Sequence, residues 1–254
     1  MQSVKALCAG SLRDVMEELA AKARFAAELA VSLEFGPSGV LRKRIEDGYP
    51  AGLLCSADMG HPKVLHEAGL AHAPRVFCGN AIRIMAAPGA EPPQNARTDP
   101  AALAAWLLRS DIRLSTSTPG ADPSGDYAWR FFALAERAVP GARAALEAKA
   151  VKAVGGCGPK AIGGVMVKRP VVRLFEEDLT DVFIGYATTA AQTAKRIPGL
   201  HVVVPPEELA IDCPYGLAAL RTAGEEAKIL EDFMLSQTGR NIFAQFGFTL
   251  PPGS

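Results

Sequence analysis

Three times in its first sixty residues the chain passes from a short apolar stretch, through a small or hydroxyl residue, into a segment of helical period. Residues 4–9 lead through Gly10 and Ser11 into residues 12–20, where Leu12, Val15, Met16 and Leu19 recur at helical spacing. Residues 31–35 lead through Gly36, Pro37 and Ser38 into residues 40–47, which Gly48 stops. Residues 52–55 lead through Ser56 and Ala57 into a further helix from Asp58. Strands separated by helices cannot pair as tight hairpins and need crossover connections. The pattern therefore commits the chain to an α/β architecture with largely parallel sheets.

A strand that hands a hydroxyl residue to a helix start also builds a cradle for an anion. Free backbone N–H groups, the positive end of the helix dipole and one side-chain donor converge there. Ser11 reads as an N-cap, with Asp14 three residues on in a weak form of the capping box, and Ser38 reads as a second cap. Two such turns within forty residues point to a protein that holds a small oxyanion.

Charge narrows the partner class. Lys plus Arg and Asp plus Glu are both 27, so the formal net charge is zero. Nucleic acid as a main partner would demand a basic excess. No apolar run approaches the roughly 18–20 residues that cross a bilayer. No signal-peptide pattern opens the chain, which fits either a cytosolic protein or a mature form whose leader is removed. Cys8, Cys55, Cys78, Cys157 and Cys213 show no CxxC spacing, so no zinc site is expected. They read as buried free thiols, with one or two disulfides as the alternative.

His61 and His66, five residues apart, suit neither an i, i+3 nor an i, i+4 metal pair, and all four histidines read as solvent-facing. Cys55-Ser56 lies near His61, but no G-x-S-x-G elbow accompanies it, and no catalytic residue is assigned. Arg42-Lys43-Arg44 reads as a solvated helix face, with long-range attraction of an anion as a second role.

Further along, the Pro- and Gly-rich residues 87–94 read as a loop near a boundary, and Asp99-Pro100 opens a helix through Trp106. Residues 112–115 are strand-like, residues 116–125 form a polar turn, and a helix follows from about Asp126. The glycine-rich residues 155–164 lack the GxxxxGK[ST] pattern and read as a loop rather than a nucleotide site. Residues 182–186 form a buried strand ending in Tyr186, followed by a helix from Ala187 and a strand over 201–204. The chain closes on one long helical pattern over 225–243, then Gly247-Phe248.

In order along the chain stand Ala9-Gly10-Ser11-Leu12, Phe35-Gly36-Pro37-Ser38-Gly39-Val40-Leu41, Ile45-Glu46-Asp47-Gly48 and Cys55-Ser56-Ala57-Asp58. Phe77-Cys78-Gly79-Asn80, Ala121-Asp122-Pro123-Ser124-Gly125-Asp126-Tyr127-Ala128, Phe183-Ile184-Gly185-Tyr186 and Gly239-Arg240-Asn241-Ile242-Phe243 through Gly247-Phe248 complete the series. This series resembles the periplasmic molybdate-binding proteins of ABC importers over nearly the whole chain. The resemblance implies an α/β, two-lobed type II periplasmic-binding-protein fold, each lobe a mostly parallel sheet flanked by helices, with the ligand in the interlobe cleft. Residues 1–83 with 188–254 would form one lobe and residues 84–187 the other. Ser11 and Ser38 match two hydroxyl ligands, Ser124 a backbone N–H donor and Tyr186 a phenolic donor. A remaining backbone donor falls near Val167 or Lys168, in a stretch that departs from the family pattern.

The implied protein is a monomeric, non-enzymatic receptor that captures molybdate or tungstate. It needs no cofactor and no metal cation, works in the periplasm and has a membrane ABC permease as its partner. A fully ionised tetrahedral dianion needs several donors and no proton acceptors, which serine hydroxyls, backbone N–H groups and a tyrosine O–H supply. Carboxylates at the ligand are disfavoured by like charge, which helps exclude hydrogen phosphate. Three alternatives stand beside this reading. The same fold can bind sulfate, another oxyanion or a small carboxylate. A cytoplasmic anion sensor fits the absent leader. An enzyme with a Ser or Cys nucleophile would need a histidine or carboxylate within reach of Ser11, Ser38 or Cys55.

Overall fold

The computed structural model describes residues 2–155 and 169–251. Within them the chain divides into two compact units, Met1–Asn80 with Cys213–Ser254, and Ala81–Asp212.

In the first unit the opening pattern folds as its periodicity dictates. β1 (Gln2–Ala9), β2 (Leu29–Gly36) and β3 (Leu53–Ser56) are parallel, in the order β2-β1-β3. Between them run α1 (Arg13–Ala26) and α2 (Ser38–Glu46), and α3 (Gly60–Glu67) follows β3. β4 (Arg75–Ala86) carries the chain out of this unit, and β9 (Asp212–Ala219) brings it back antiparallel to β3. Leu7, Leu54 and Ala218 face one another across three strands, and side-chain alternation puts them on one face. Leu41 and Ile45 of α2 and Leu65 of α3 close over that row to form a core. On the other face, a Cβ on Gly52 would meet Val4 and Ala227, the latter on α9 (Glu225–Leu235).

The single long helix expected near the C-terminus is two, α9 and α10 (Gln237–Gln245). Ser236 breaks the run: its Oγ donates back to Phe233 O at 2.7 Å and accepts the Gly239 N–H at 3.2 Å, capping α10. The tail then returns to β4, where Gly79 and Thr249 exchange backbone hydrogen bonds.

At the far end of β2, Glu34 accepts from Tyr49 Oη at 2.6 Å and Arg44 at 2.7 Å, and pairs with Lys5 at 3.1 Å. These bonds hold its carboxyl at about 2, with the Tyr49 bond the largest cause. Arg42 meets Glu46 at 3.2 Å and Lys43 meets Asp47 at 2.5 Å. Every cation of the Arg42-Lys43-Arg44 run thus has a carboxylate partner, which leaves little net field to attract an anion.

The second unit has its own sheet. β7 (Val182–Tyr186) and β8 (His201–Val203) lie antiparallel to β4 on either side of it, and β5 (Leu114–Ser117) and β6 (Val151–Val154) extend the β7 side in parallel. Its helices are α4 (Pro100–Leu108), α5 (Pro123–Ala138), α6 (Ala142–Lys149), α7 (Pro170–Glu176) and α8 (Ala187–Ala194). Asp99 caps α4 through Ala101 N–H and Ala102 N–H, as the Asp-Pro pair predicts. Met85, Phe183, Val171, Leu174 and Ala190 pack as one cluster.

The expected return crossing at residues 187–188 is corrected to 212–213. The cause is strand pairing. β8 pairs with β4 through Val203 opposite Ile84, and Ile82 N–H bonds Ile211 O, so residues 188–212 are built onto the second unit. The first crossing falls at 80–81, close to the expected 83–84.

Candidate functional site

The C-terminal ends of β1, β2 and β3 share one edge, because Ala9 lies opposite Gly36 and Cys8 opposite Cys55. Open α/β sheets bind ligands at such edges, where helix N-termini and free loop groups collect. Ser11, Ser38 and the Ser56-Ala57-Asp58 turn are all delivered to it. The Ser38 side chain is buried, and its Oγ accepts the Ala57 N–H at 3.2 Å, tying the second turn to the third. Ser38 is the first residue of α2 rather than its cap; Pro37 holds the cap position.

Ser11 also departs from the capping expectation. Gly10–Leu12 forms one turn of 3-10 helix, so α1 begins only at Arg13, with Leu12 at its boundary and no side-chain cap. Released from that duty, Ser11 Oγ lies 2.9 Å from Tyr215 Oη of β9. Asn80 Nδ2 reaches the same phenol at 3.5 Å. Burial pushes the Tyr215 hydroxyl well above its usual range, outweighing the opposite pull of the Ser11 bond. Edge-on contacts with Phe77 and Phe248, at centroid distances of 6.4 and 5.6 Å, fix the ring. At the third turn Ser56 Oγ donates to Asp58 Oδ1 at 2.7 Å, and Asp58 also takes the His61 N–H at 3.2 Å. His61 is buried, contrary to the solvent-facing expectation, because it sits in the first turn of α3 on its inner side.

In the second unit β5 and β7 run parallel, with Thr116 opposite Ile184, so their C-terminal ends share an edge too. Tyr186 ends β7 and is buried, and its ring meets that of Tyr127 on α5 edge-on at 6.3 Å. Tyr127 lies one helical turn after Ser124, so α5 ties the two expected donors into one structure. The helix starts three residues earlier than expected, at Pro123, with Asp122 as its cap.

Asp122 alters the chemistry of that turn. Its carboxylate accepts the Ser124 N–H at 3.1 Å, the donor assigned to the ligand. Gly155, at φ +72°, passes so close that a Cβ there would lie 2.8 Å from Asp122 Oδ2. Asp126 adds a second carboxylate, accepting the Gly120 N–H at 2.8 Å. Like charge disfavours carboxylates at the ligand, and two stand at this turn, Asp122 as the cap of α5 and Asp126 bound to Gly120. Lys168, Val167 and the glycine-rich residues 156–164 lie outside the described residues, as does Cys157.

The nucleophile alternative gains nothing from these contacts. Ser11 meets a phenol and Ser38 a backbone N–H, where an enzyme would need a histidine or carboxylate. Cys8, Cys55, Cys78 and Cys213 are buried thiols in no disulfide. The hydrogen bond to Cys55, then burial, pushes the Cys8 thiol well above its usual range, and burial does the same to Cys78. Such thiols are poor nucleophiles. Among the described residues no group of three or more His, Cys, Asp or Glu could hold a metal ion. No described helix is long and apolar enough to cross a membrane.

Tyr215, Asn80 and Asp122 carry much of this geometry and were not singled out from the sequence. Asp122 had a readable signal, the same Asp-Pro pair that marks α4. Tyr215 had none, since its partner stands 204 residues away.

Two α/β units joined by two chain crossings, with hydroxyl and N–H groups gathered at strand ends, define a type II periplasmic-binding-protein fold. The chain belongs to the bacterial extracellular solute-binding protein family, whose profile matches residues 4–249. It is 30% identical over 249 residues to the uncharacterized protein PM1146 of Pasteurella multocida, covering 96% of this chain and 98% of that one. The Azotobacter vinelandii periplasmic molybdate-binding protein superposes with a TM-score of 0.73 at 18% identity, over 98% of this chain and 100% of the other. The periplasmic binding protein AfuA from Actinobacillus pleuropneumoniae, solved with fructose-6-phosphate, gives 0.75 at 15% identity, over 98% and 85%. At these identities the structural likeness speaks for the fold and not for the ligand.

Proposed function

We propose that the protein is the receptor of an ABC importer and captures a tetrahedral oxyanion, molybdate or tungstate, in the periplasm. It acts as a monomer, without catalysis or cofactor, and delivers the anion to a membrane permease. Its donors are the Ser11 and Ser38 hydroxyls, the Ser124 N–H, the Tyr186 phenol and, beyond the described residues, a group at Val167 or Lys168. The observation that carries this reading is the delivery of Ser11 and Ser38 to one edge of a parallel sheet, each beside the start of a helix. Donors spread over helix starts balance a dianion without a buried counter-cation and its desolvation cost.

Calorimetric titration with molybdate, tungstate, sulfate, inorganic phosphate and fructose-6-phosphate tests the reading. Saturable binding of molybdate or tungstate, tighter than that of the other three, is the expected result. Heats indistinguishable from dilution for both metal oxyanions would sink it.

One observation favours a second ligand, a phosphomonoester bearing hydroxyl groups. The Asp122 carboxylate can accept from a ligand hydroxyl, whereas it repels a bare dianion. Asp122→Asn separates the two. Asparagine caps a helix about as well as aspartate, so melting should shift little. For a bare oxyanion, loss of the like charge should tighten binding on the order of tenfold, equivalent to ~1.4 kcal/mol. For a hydroxylated phosphate ester, the same change should weaken binding.

A further inference from the structure

We propose that Cys8 and Cys55 form a disulfide in an oxidising environment, closed by exchange with a small-molecule or enzyme disulfide while the first unit is folding. The link joins β1 to β3 and goes beyond the oxyanion reading, since it holds whatever ligand the site takes.

β1 and β3 run parallel, and Cys8 and Cys55 are directly opposed Cα partners. Neighbouring strands lie about 4.7–4.9 Å apart, inside the roughly 4.4–6.8 Å between Cα atoms that a disulfide spans. Opposed residues send their side chains to the same face of a sheet. Both thiols are fully buried there, and a hydrogen bond already joins them. Cys78 and Cys213 are worse placed to reach Cys55. Cys78 belongs to β4, and β9 lies between β3 and β4, so two strand spacings separate it from Cys55. That exceeds the about 7 Å limit for a bridge. On β9 the residue opposite Cys55 is Leu217, four positions beyond Cys213.

The exchange balances in two steps. One cysteine thiolate attacks the oxidant's disulfide, forming a mixed disulfide and releasing one thiol. The other thiolate then attacks the protein sulfur of that mixed disulfide and expels the second thiol. The protein gives up two protons and two electrons, and the oxidant takes them up as its two thiols. Burial sets the timing. In the folded unit the bond to Cys55 and burial push the Cys8 thiol well above its usual range, so it supplies little thiolate. The exchange therefore precedes closure of the core, and the same burial afterwards keeps reductants out. Cys8 stands three residues before Ser11 and Cys55 next to Ser56, so the link pins together two strand ends that lead to the candidate site.

Peptide mapping of the full chain tests this. Reduced, unfolded protein is refolded in glutathione with glutathione disulfide, remaining thiols are blocked with iodoacetamide in denaturant, and an unreduced digest is read by mass spectrometry. A linked Cys8–Cys55 peptide pair is expected in most folded molecules. Alkylation of both residues, or a link from either one to a different cysteine, overturns the inference. Where refolding fails, the folded protein is opened in moderate urea with glutathione disulfide and mapped in the same way. The oxidised chain should also melt about 5–10 °C above the chain refolded in excess reductant, because a closed loop restrains the unfolded state. Cys8→Ala with Cys55→Ala should abolish that difference, and a difference that survives overturns the assignment to this pair. Should the double variant not fold, the mapped peptides of the wild type decide. None of these outcomes depends on which anion the protein binds.

Discussion

Ser11→Ala combined with Ser38→Ala should weaken oxyanion binding by about a hundred- to ten-thousandfold. A hydrogen bond to a charged group contributes about 1.5–3 kcal/mol, and two together cover that span at about 1.4 kcal/mol per decade. The two residues enter the site by different routes, one through a 3-10 turn and one as the first residue of a helix. Each single change should therefore be felt independently, apart from coupling through shared contact with the anion. Both side chains also serve the fold, since Ser11 pairs with Tyr215 and Ser38 accepts from Ala57. Melting of the free protein should accordingly fall somewhat as well. Calorimetric titration of folded double variant decides the matter: affinity within threefold of wild type would reduce both serines to structural groups.

The largest effect on stability is expected at Gly125, in the first turn of α5. A Cβ there would lie 2.6 Å from Pro119 N, Ser117 O and Thr118 C, all backbone atoms that cannot rotate aside. Gly125→Ala must push the start of α5 away from the end of β5, and overpacking of this kind costs about 3 kcal/mol. In a chain of this size that lowers the melting temperature by roughly 6–12 °C. Gly10→Ala is the matched control, because its Cβ would meet nothing within 4 Å. Differential scanning calorimetry of the two variants should show a large drop for the first and almost none for the second. Equal melting temperatures would mean that the α5 turn yields at little cost.

That same turn shows what sequence reading reaches and what it leaves behind. Local signals held wherever the cause was local. The three opening strands, the Asp99 cap and the buried strand ending at Tyr186 all stand where period and capping chemistry put them. Ser11 went astray because a single 3-10 turn moves the helix start by one residue, from Leu12 to Arg13, and no residue type announces such a turn. β9 was missed because Pro214 and Gly216 interrupt it, although Gly216 is what lets the strand pass Met59 and Asp58. With β9 hidden, the return crossing was drawn too early and Tyr215 had no strand to stand on. Asp122 was legible as a cap, but its hold on the Ser124 N–H is seen only in the hydrogen bond itself.

The chain path also sets an order of events that no single contact reveals. The second unit is one uninterrupted stretch, Ala81–Asp212, and the Ile82–Ile211 hydrogen bond closes its two ends on each other. The first unit is written in two instalments. Its sheet lacks β9, and its aromatic wall lacks Tyr215, Phe243 and Phe248, until the last stretch of polypeptide has been made. As synthesis proceeds from the N-terminus, the inserted unit has all its parts first, while β1, β2 and β3 wait with one face and one edge uncovered. The residues that wait longest include Ser11, whose partner Tyr215 arrives among the last. A truncated product ending before β9 would carry Ser11 without the strand that pairs with β3 and without the phenol that Ser11 meets.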